Sequence, residues 1–543
     1  MKVKLLRKSK LKPETRKQKS ERGKQDLRFS VSAFCFLVSF VVLHYPLLHL
    51  PYYWDEAGYY IPAAMDFYRS GQLVPSDTLP TGHTPLVIMY LALIWRGLGF
   101  SPAVTRAAMT VFAACTLTGV YTLGRRVAYR EIACWSVLLL GLSPLFFAQS
   151  VLVHLDLAAG LFTLLALLAL LETRPWSFAL AAACAVLSKE TAVILLPLAW
   201  IFVWRQHRRT GSSPSGAECF AYVSPVLVLI GWVGFCHHAT GFWLGNREYL
   251  RYNLYSTLNP ARMVLTLLRR LYETFVGGFN WLLTAGALAG IWWRRYKIGA
   301  ARETPDTPTN ACVRSQPGPA ALCGFLFLGG GLIMAYVVML SMVGGAVLPR
   351  YLLPIFPPFV LIAVILIWRL PRLAARSIMV LTAGCFVWAW FLNPPYPFPF
   401  EDNLAYADFI RLHGQAAQFL EAQPGNKRIL TAWPASDELL HPFLGYVRQP
   451  LAVVTVEGFG RHDFDSVSLE SFDCLYLYSR RWEPAHNWMR SLPWWQRLQQ
   501  RYFEYQPQIP EHELAVRYHL RLLTSFERRG QWVRIYIKEH RSR

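Results

Sequence analysis

The chain has 543 residues, of which 54% are hydrophobic, 15% aromatic and only 16% charged, and its mean hydropathy is +0.26. Soluble proteins carry roughly 25% charged residues, so this composition excludes a chain built only of soluble domains and indicates a membrane protein. The net charge of +22 divides into +9 in residues 1–28, +12 in 29–393 and +1 in 394–543. A charge concentrated in a tail and in loops is weak support for nucleic-acid binding, and we expect no nucleic-acid partner.

The N-terminal 28 residues contain twelve Lys and Arg against three Asp and Glu. This segment is too polar to pack a core and is predicted to be a disordered cytoplasmic tail. Residues 30–50 are apolar over a length that spans about 30 Å of hydrocarbon as a helix. A signal peptide would have a shorter basic region and a small-residue cleavage site, so we predict an uncleaved anchor with a cytoplasmic N-terminus.

Apolar runs continue through the middle of the chain and predict about eleven membrane helices in a mainly α, polytopic domain over 29–393. The further runs lie near 102–124, 131–150, 156–171, 176–188, 191–204, 219–238, 273–293, 320–342, 351–368 and 377–393. Successive helices cross the membrane in alternate directions, so residues 51–101 are predicted to form the first outer loop. Each turn assigned to the cytoplasm contains arginine, as the positive-inside rule requires. The outer loop near 239–272 is an exception, with Arg247, Arg251, Arg262, Arg269 and Arg270.

The composition changes again towards the C-terminus. Residues 298–319 are rich in Pro, Thr and Gly and are predicted to be a flexible cytoplasmic loop. After Asn393-Pro394-Pro395, the strand-like pieces KRILTAW, PLAVVTV, FDCLYLY and QWVRIYIKE alternate with helical pieces such as 403–422. These features predict a small α/β domain over 394–543, on the extracytoplasmic side. The ten cysteines form no CxxC or Cys/His cluster, so neither a disulfide framework nor a zinc site is indicated.

Acidic residues are scarce in the apolar region, and three are predicted on the outer side. A charge at the membrane centre costs about 2.5–3.5 kcal/mol on insertion scales, so such residues tend to lie at interfaces, in cavities or in sites. Asp55 and Glu56 follow the first helix within an aromatic segment, and Asp156 lies at the turn before a later helix. Helix capping is the simple structural alternative for each of them.

Four further side chains are predicted on the same side: His83, Lys189, Arg350 and Tyr351. The alternatives are a salt bridge or snorkelling for Lys189, interfacial anchoring for Arg350 and an ordinary loop histidine at His83. Carboxylates and cations around an outer cavity suit the attack of an acceptor hydroxyl on a sugar carried by a lipid phosphate. A carboxylate would take the hydroxyl proton, and the cations would stabilise the departing phosphate.

Several short motifs, in chain order, resemble a known family. The acidic pair, GHTPL, VHLD, LSKE and LPRYLLPIFP are similar to segments of the polytopic GT-C glycosyltransferases related to protein O-mannosyltransferases and to the lipid A aminoarabinose transferase. The resemblance covers about 50–393. It implies the GT-C fold, a polyprenyl- or dolichyl-phosphate sugar donor and inversion at the anomeric carbon.

The same resemblance implies roles for individual residues. Asp55 matches the catalytic acid with Glu56 beside it, and Asp156 matches a second acid that places the acceptor or a metal. Lys189, Arg350 and Tyr351 match positions near the donor phosphate. His83 stands where relatives of the aminoarabinose type have a lysine, and a histidine is cationic only part of the time near neutral pH.

The leading hypothesis is therefore an integral-membrane glycosyltransferase that moves a sugar from a lipid-phosphate donor to a hydroxyl of a lipid, protein or glycan. The alternative is a transporter or flippase of a lipid-linked or anionic solute, and a third hypothesis is a scaffold that works through its outer domain. The sequence assigns no cofactor: two or three carboxylates could bind a divalent metal, or act only as base and positioning groups. Since no retention signal ends the sequence, the bacterial inner membrane is favoured over the endoplasmic reticulum.

Overall fold

The structure of the protein is a computed structural model. It describes residues 38–75, 82–243, 245–303, 319–397, 400–425, 427–482, 492–503 and 505–539. The predicted disordered tail 1–28, the first part of the predicted anchor and most of the predicted loop 298–319 lie outside the described residues.

Most of the described chain is α-helical, which confirms the predicted fold class. The helices are α1 (Val38–Leu48), α2 (Ile61–Ser70), α3 (Leu86–Leu98), α4 (Pro102–Val127), α5 (Arg130–Leu142), α6 (Pro144–Gln149), α7 (Leu155–Leu171), α8 (Pro175–Ser188), α9 (Leu195–Thr210), α10 (Gly216–Thr240), α11 (Arg247–Asn253), α12 (Pro260–Phe275), α13 (Asn280–Glu303), α14 (Pro319–Met342), α15 (Phe356–Ile367), α16 (Arg372–Ala389), α17 (Ala405–Glu421), α18 (Ala435–Leu440), α19 (Pro493–Phe503) and α20 (Glu511–Tyr518). A π-helical turn, Glu56–Tyr60, precedes α2, and 3₁₀ segments, Glu190–Ile194 and Pro349–Ile355, precede α9 and α15.

Local sequence signals set several helix starts. Ser101 accepts a hydrogen bond from the Val104 amide (3.2 Å) just before Pro102 opens α4. Asn259 accepts hydrogen bonds from two amides of the first turn of α12, again with a proline in the first helical position. A side chain that accepts from these otherwise unpaired N–H groups, followed by proline, is a strong N-terminal signal.

Each of the ten further apolar runs corresponds to helix in the structure, but several are interrupted. The run 131–150 is divided at Ser143 into α5 and α6, because Pro144 cannot continue the preceding helix. Five described helices are long and apolar enough to cross a membrane, and a sixth span results if α12 and α13, bent by 40°, are one broken span. The predicted count of about eleven is thus not confirmed: α7 and α8 have only 17 and 14 residues, fewer than the roughly 20 that a straight span needs.

The segment 51–101, predicted as a loop, contains both α2 and α3. The sequence of α3, LVIMYLALIWRGL, is apolar but only 13 residues long. A search for membrane-length runs therefore missed it. Its buried residues include Leu91 and Trp95.

A small mixed sheet follows the last apolar helix, as the strand-like pieces predicted. Its strand order is β3-β2-β4-β7-β6, with β2 (Ile429–Ala432), β3 (Val453–Val456), β4 (Cys474–Tyr478), β6 (Leu520–Arg528) and β7 (Gln531–Lys538). Strand β2 pairs in parallel with β3 and β4, whereas β7 pairs antiparallel with β4 and β6. The edge strand β6 was missed because its sequence, LRLLTSFER, is polar and mostly exposed. A second small sheet pairs β1 (Tyr396–Pro397) with β5 (Arg481–Trp482).

The C-terminal α/β part packs directly on the chain around the π-helical turn. The hydroxyl of Tyr446 donates to the carbonyl of Tyr52 (2.8 Å). A Cβ atom on Gly58 would overlap the indole of Trp433, so these two residues are in close contact. The sheet part thus helps to fix the turn that carries the predicted acidic pair.

Candidate active site

Arg350 lies at the centre of a cluster of acids that the fold brings together. It is the second residue of the 3₁₀ segment before α15 and is 1% exposed. Its Nη2 contacts Asp55, and its Nη1 lies 2.9 and 3.0 Å from the two carboxylate oxygens of Glu401. Its Nε lies 3.6 Å from Oδ2 of Asp156. Three carboxylates from distant parts of the sequence therefore surround one guanidinium.

Lys189 joins the same cluster through Asp156. Its Nζ donates to Oδ1 of Asp156 at 2.6 Å, and both side chains are buried. The ammonium also lies 3.8 Å from the centre of the Tyr351 ring, in the geometry of a cation–π interaction. The capping alternative does not describe Asp156, since α7 has no side-chain cap and this carboxylate contacts Lys189 and Arg350 instead.

Asp55 differs from the other two acids around Arg350 in its exposure. Its side chain is 19% exposed, whereas those of Asp156 and Glu401 are each 1% exposed. It precedes the π-helical turn but makes no side-chain cap. Of the three carboxylates, Asp55 is thus the one that a substrate can reach.

Glu56 points into a different environment from its neighbour. It is fully buried and pairs with Arg106 at 3.1 Å. Its carboxylate also accepts hydrogen bonds from the amides of Tyr53 (2.7 Å) and Val153 (2.6 Å). These contacts are those of a structural ion pair, and the structure does not bring Glu56 to the cluster around Arg350.

His83 lies beside the cluster without entering it. Its Nδ1 is 3.2 Å from the carboxylate of Glu190, the residue after Lys189. Among the described residues, no hydrogen bond or ion pair joins His83 to Lys189 or Arg350. A cavity opens next to it, lined by His83, Tyr59, Tyr60, Ile88 and Trp232 among others.

Two buried charged residues near the cluster were missed in the sequence. Glu401 is the first acid after the last apolar run, in a proline-rich segment that carries no motif. In the sequence, Arg270 stands out only as one of several arginines in an unusually basic outer loop. It is fully buried, its guanidinium carbon is 5.7 Å from the centre of the Tyr351 ring, and its Nε and Nη2 have no hydrogen-bond partner among the described residues. The basic loop was the available signal for Arg270, whereas Glu401 had none beyond its place in the chain.

Three arginines of α12 fix the loop that leads to Arg350. Arg262 donates to the carbonyl of Gly345 (2.8 Å), Arg269 to that of Val347 (2.8 Å) and Arg270 to that of Leu348 (2.7 Å). Backbone carbonyls held by guanidinium groups have little freedom to move. The position of Arg350 therefore depends on α12 as well as on the three carboxylates that surround its guanidinium.

Two titratable groups near the π-helical turn have shifted acidities. Burial, and then the charge of Asp55, raises the pKa of Tyr59 to about 12, so its hydroxyl stays protonated. Burial raises the pKa of Asp437 in α18 to about 6, and the neighbouring Glu438 adds to the rise. Within the described ranges, no group of three or more His, Cys, Asp and Glu side chains is arranged to hold a metal ion.

Comparisons with known proteins bear on the family and the fold of the chain. Residues 82–232 match the family described as dolichyl-phosphate-mannose-protein mannosyltransferase. No curated protein sequence matches the chain significantly.

Two solved structures of one protein have a similar fold over nearly all of both chains. One is the crystal structure of ArnT from Cupriavidus metallidurans bound to undecaprenyl phosphate, whose sequence is 14% identical to this chain. The match covers 92% of this chain and 97% of the ArnT chain, with a TM-score of 0.52. The apo state of the same protein is 13% identical, covers 93% and 98%, and has a TM-score of 0.51. The resemblance expected from the motifs is confirmed: the chain is an integral membrane protein with the fold of the GT-C glycosyltransferases.

Proposed function

We propose that the chain is a glycosyltransferase that moves a sugar from a polyprenyl-phosphate donor to an acceptor hydroxyl, with Asp55 as the general base. The observation that carries this proposal is the convergence of Asp55, Asp156 and Arg350 at one place, where only Asp55 of these acids is accessible. A reacting base must reach its substrate, while its neighbours keep it in position. ArnT bound to undecaprenyl phosphate supports a lipid-phosphate donor.

The proposed donor phosphate site lies beside the ring of Tyr351. Lys189, Arg270 and Arg350 all have their cationic groups within 6 Å of this ring. The two unpartnered nitrogens of Arg270 supply hydrogen-bond donors in a buried place, where an unmade hydrogen bond is costly. A phosphate would satisfy them, and His83 would contribute a positive charge at the edge of the site when it is protonated.

The proposed reaction is a single displacement. Asp55 takes the proton of the acceptor hydroxyl, whose oxygen attacks the anomeric carbon, and the bond from this carbon to the phosphate oxygen breaks. The electron pair of that bond goes to the phosphate, where the cations stabilise the growing negative charge. Asp156 keeps Lys189 and Arg350 in place, and one displacement inverts the anomeric centre.

The arrangement of the chain in the membrane is part of the same proposal. We place the N-terminus in the cytoplasm, the site and the domain 394–543 on the extracytoplasmic side, and the protein in a bacterial inner membrane. The arginines at the predicted inner turns support this orientation. The proposed acceptor is a hydroxyl of a lipid, a protein or a glycan.

The test is turnover of a defined donor by purified protein in nanodiscs. We expect the wild type to convert a polyprenyl-phosphate sugar into free polyprenyl phosphate and a new glycoside. Asp55→Asn should lower the rate by about 10²–10⁴-fold, the usual contribution of a general base, without loss of expression. Asp465→Asn, at an acid whose side chain is 71% exposed, is the matched control.

Two outcomes separate the hypotheses, and a chelator tests the metal. Full activity of Asp55→Asn would remove the assignment of the base. Movement of intact donor across a liposome membrane, with no new glycosidic bond, would favour the transporter or flippase. The same turnover assay in the presence of EDTA decides whether a divalent metal takes part.

A further inference from the structure

Glu401 connects the C-terminal α/β part of the chain to the cluster around Arg350. It lies between the last apolar helix, α16, and the first helix of that part, α17. We propose that Glu401 is a positioning residue, which fixes the guanidinium of Arg350 so that its other nitrogens stay on Asp55 and Asp156. This inference rests on the proposed function, in which Asp55 is the base.

The geometry of the guanidinium explains why one more carboxylate matters. Its N–H groups lie in one plane and point in fixed directions. Nη2 and Nε face Asp55 and Asp156, whereas Nη1 bonds with Glu401 at 2.9–3.0 Å. Among the described residues, Glu401 is the one hydrogen-bond partner of Nη1. Without it, Asp55 and Asp156 are the acids left to hold the guanidinium among the described residues.

Glu401 is itself anchored at several points. Its backbone carbonyl accepts a hydrogen bond from Nε2 of Gln149 (3.0 Å), and its carboxylate lies 3.4 Å from Nε2 of His154. Gln149 and His154 also bond with each other at 2.6 Å, and both are fully buried. The amide of the preceding Phe400 donates to the hydroxyl of Tyr53 (3.2 Å), two residues before Asp55.

These anchors tie Glu401 to the elements on both sides of the site. Gln149 ends α6, His154 precedes α7, and Tyr53 precedes the π-helical turn. A carboxylate that is held in this way can keep the guanidinium of Arg350 in one orientation. A residue that served only the stability of the sheet part would not need to contact the guanidinium that holds the base.

The experiment compares Glu401→Gln and Glu401→Asp with the wild type in the nanodisc assay. Glu401→Gln keeps the shape but loses the charge, and we expect kcat to fall by about 10²-fold, the scale of a misplaced reacting group, with the donor KM unchanged. In an Arg350→Lys background, Glu401→Gln should have little further effect, since the two residues act as a unit.

Asp408→Asn is the matched control. Asp408 is a buried acid of the same C-terminal part, paired with Arg528 and not with Arg350. Its loss should lower thermal stability but leave kcat per folded molecule unchanged. If Glu401→Gln behaves in the same way as Asp408→Asn, Glu401 is only structural and the inference is wrong. If Glu401→Gln does not fold, Glu401→Asp is compared with Asp408→Asn in its place.

A donor-independent readout separates this inference from the proposed function. A cryo-EM structure of Glu401→Gln should show the Arg350 guanidinium turned away from Asp55. If that contact is kept, the inference fails, even when Asp55→Asn is inactive and the proposed function stands. If the wild type converts no lipid-linked sugar, the proposed function fails, and the cryo-EM comparison still decides the role of Glu401.

Discussion

At the scale of single residues, Asp55 and Glu56 show how two adjacent acids take different tasks. The two neighbouring side chains point in different directions, since one carboxylate faces Arg350 and the other faces Arg106. Asp55 keeps exposed atoms, whereas Glu56 has none. Glu56 is therefore the structural member of the pair, and Asp55 is the member proposed to react.

Glu56→Gln should destabilise the protein much more than Asp55→Asn. It leaves Arg106 as an unpaired buried charge, a change that typically costs about 3–5 kcal/mol. The thermal unfolding midpoint in detergent should fall clearly for Glu56→Gln and little for Asp55→Asn. Equal midpoints of the two variants would show that Glu56 is not the structural member of the pair.

Asp437 should make stability depend on pH. Its pKa is raised from 3.8 to about 6 in the folded protein, so between these values the folded chain binds more protons than the unfolded chain. The free energy of unfolding therefore falls as pH rises through this window. Asp437→Asn removes the titrating group, and its stability relative to the wild type should increase from about pH 4 to pH 7.

Denaturant unfolding of the wild type and of Asp437→Asn at several pH values measures the difference between their free energies of unfolding. A stability difference that stays constant over the window would contradict the assignment. Asp465→Asn, at a mostly exposed acid, provides the comparison for a carboxyl on the surface.

Some site residues could be predicted from the sequence and others could not. Asp55, Asp156, Lys189, Arg350 and Tyr351 stand in short motifs of a hydrophobic chain where charges are rare, and the fold does bring them together. Their roles in the reaction stay predictions. Glu401 could not be found in this way, because it stands in no motif and its contact with Arg350 depends on how the chain turns after α16.

At the scale of elements, α12 controls the loop before Arg350 through its three arginines. The loop also packs closely elsewhere, since a Cβ atom on Gly345 would overlap the ring and the carbonyl of Tyr252. A carbonyl of the backbone cannot move aside as a flexible side chain can. The loop is therefore fixed from both directions.

Gly345→Ala should displace this loop and lower kcat by up to about 10²-fold, because small shifts of positioning groups have such effects. The control is Gly384→Ala in α16, where an added Cβ meets no atom within 4 Å and alanine favours the helix by roughly 1 kcal/mol. Turnover and unfolding midpoints of the two variants make the comparison. Normal turnover of Gly345→Ala would show that the loop position does not matter.

The elements themselves were predictable where hydropathy is continuous. The long apolar helices α4, α10 and α14 follow directly from their runs. Short helices such as α3, and polar edge strands such as β6, carry too weak a pattern, and their conformation is decided by packing with distant segments. The count of about eleven spans is likewise not confirmed by the lengths of the described helices.

At the scale of the whole molecule, the proposed orientation can be tested with fusions. Alkaline phosphatase joined after Thr210, at the arginine-rich end of α9, should be inactive, because this end is placed in the cytoplasm. The same reporter joined after Glu421, at the end of α17, should be active. A green fluorescent protein at the two positions should give the opposite pattern, and the reverse of both patterns would invert the proposed topology.

The contact between Arg350 and Glu401 also has a consequence for biosynthesis. A ribosome makes the segments that carry Asp55, Asp156 and Arg350 before it reaches residue 401. Until that residue has emerged and its segment has packed beside Gln149 and His154, the guanidinium lacks its third carboxylate. We therefore expect a product truncated before residue 401 to lack the third carboxylate of the cluster around Arg350.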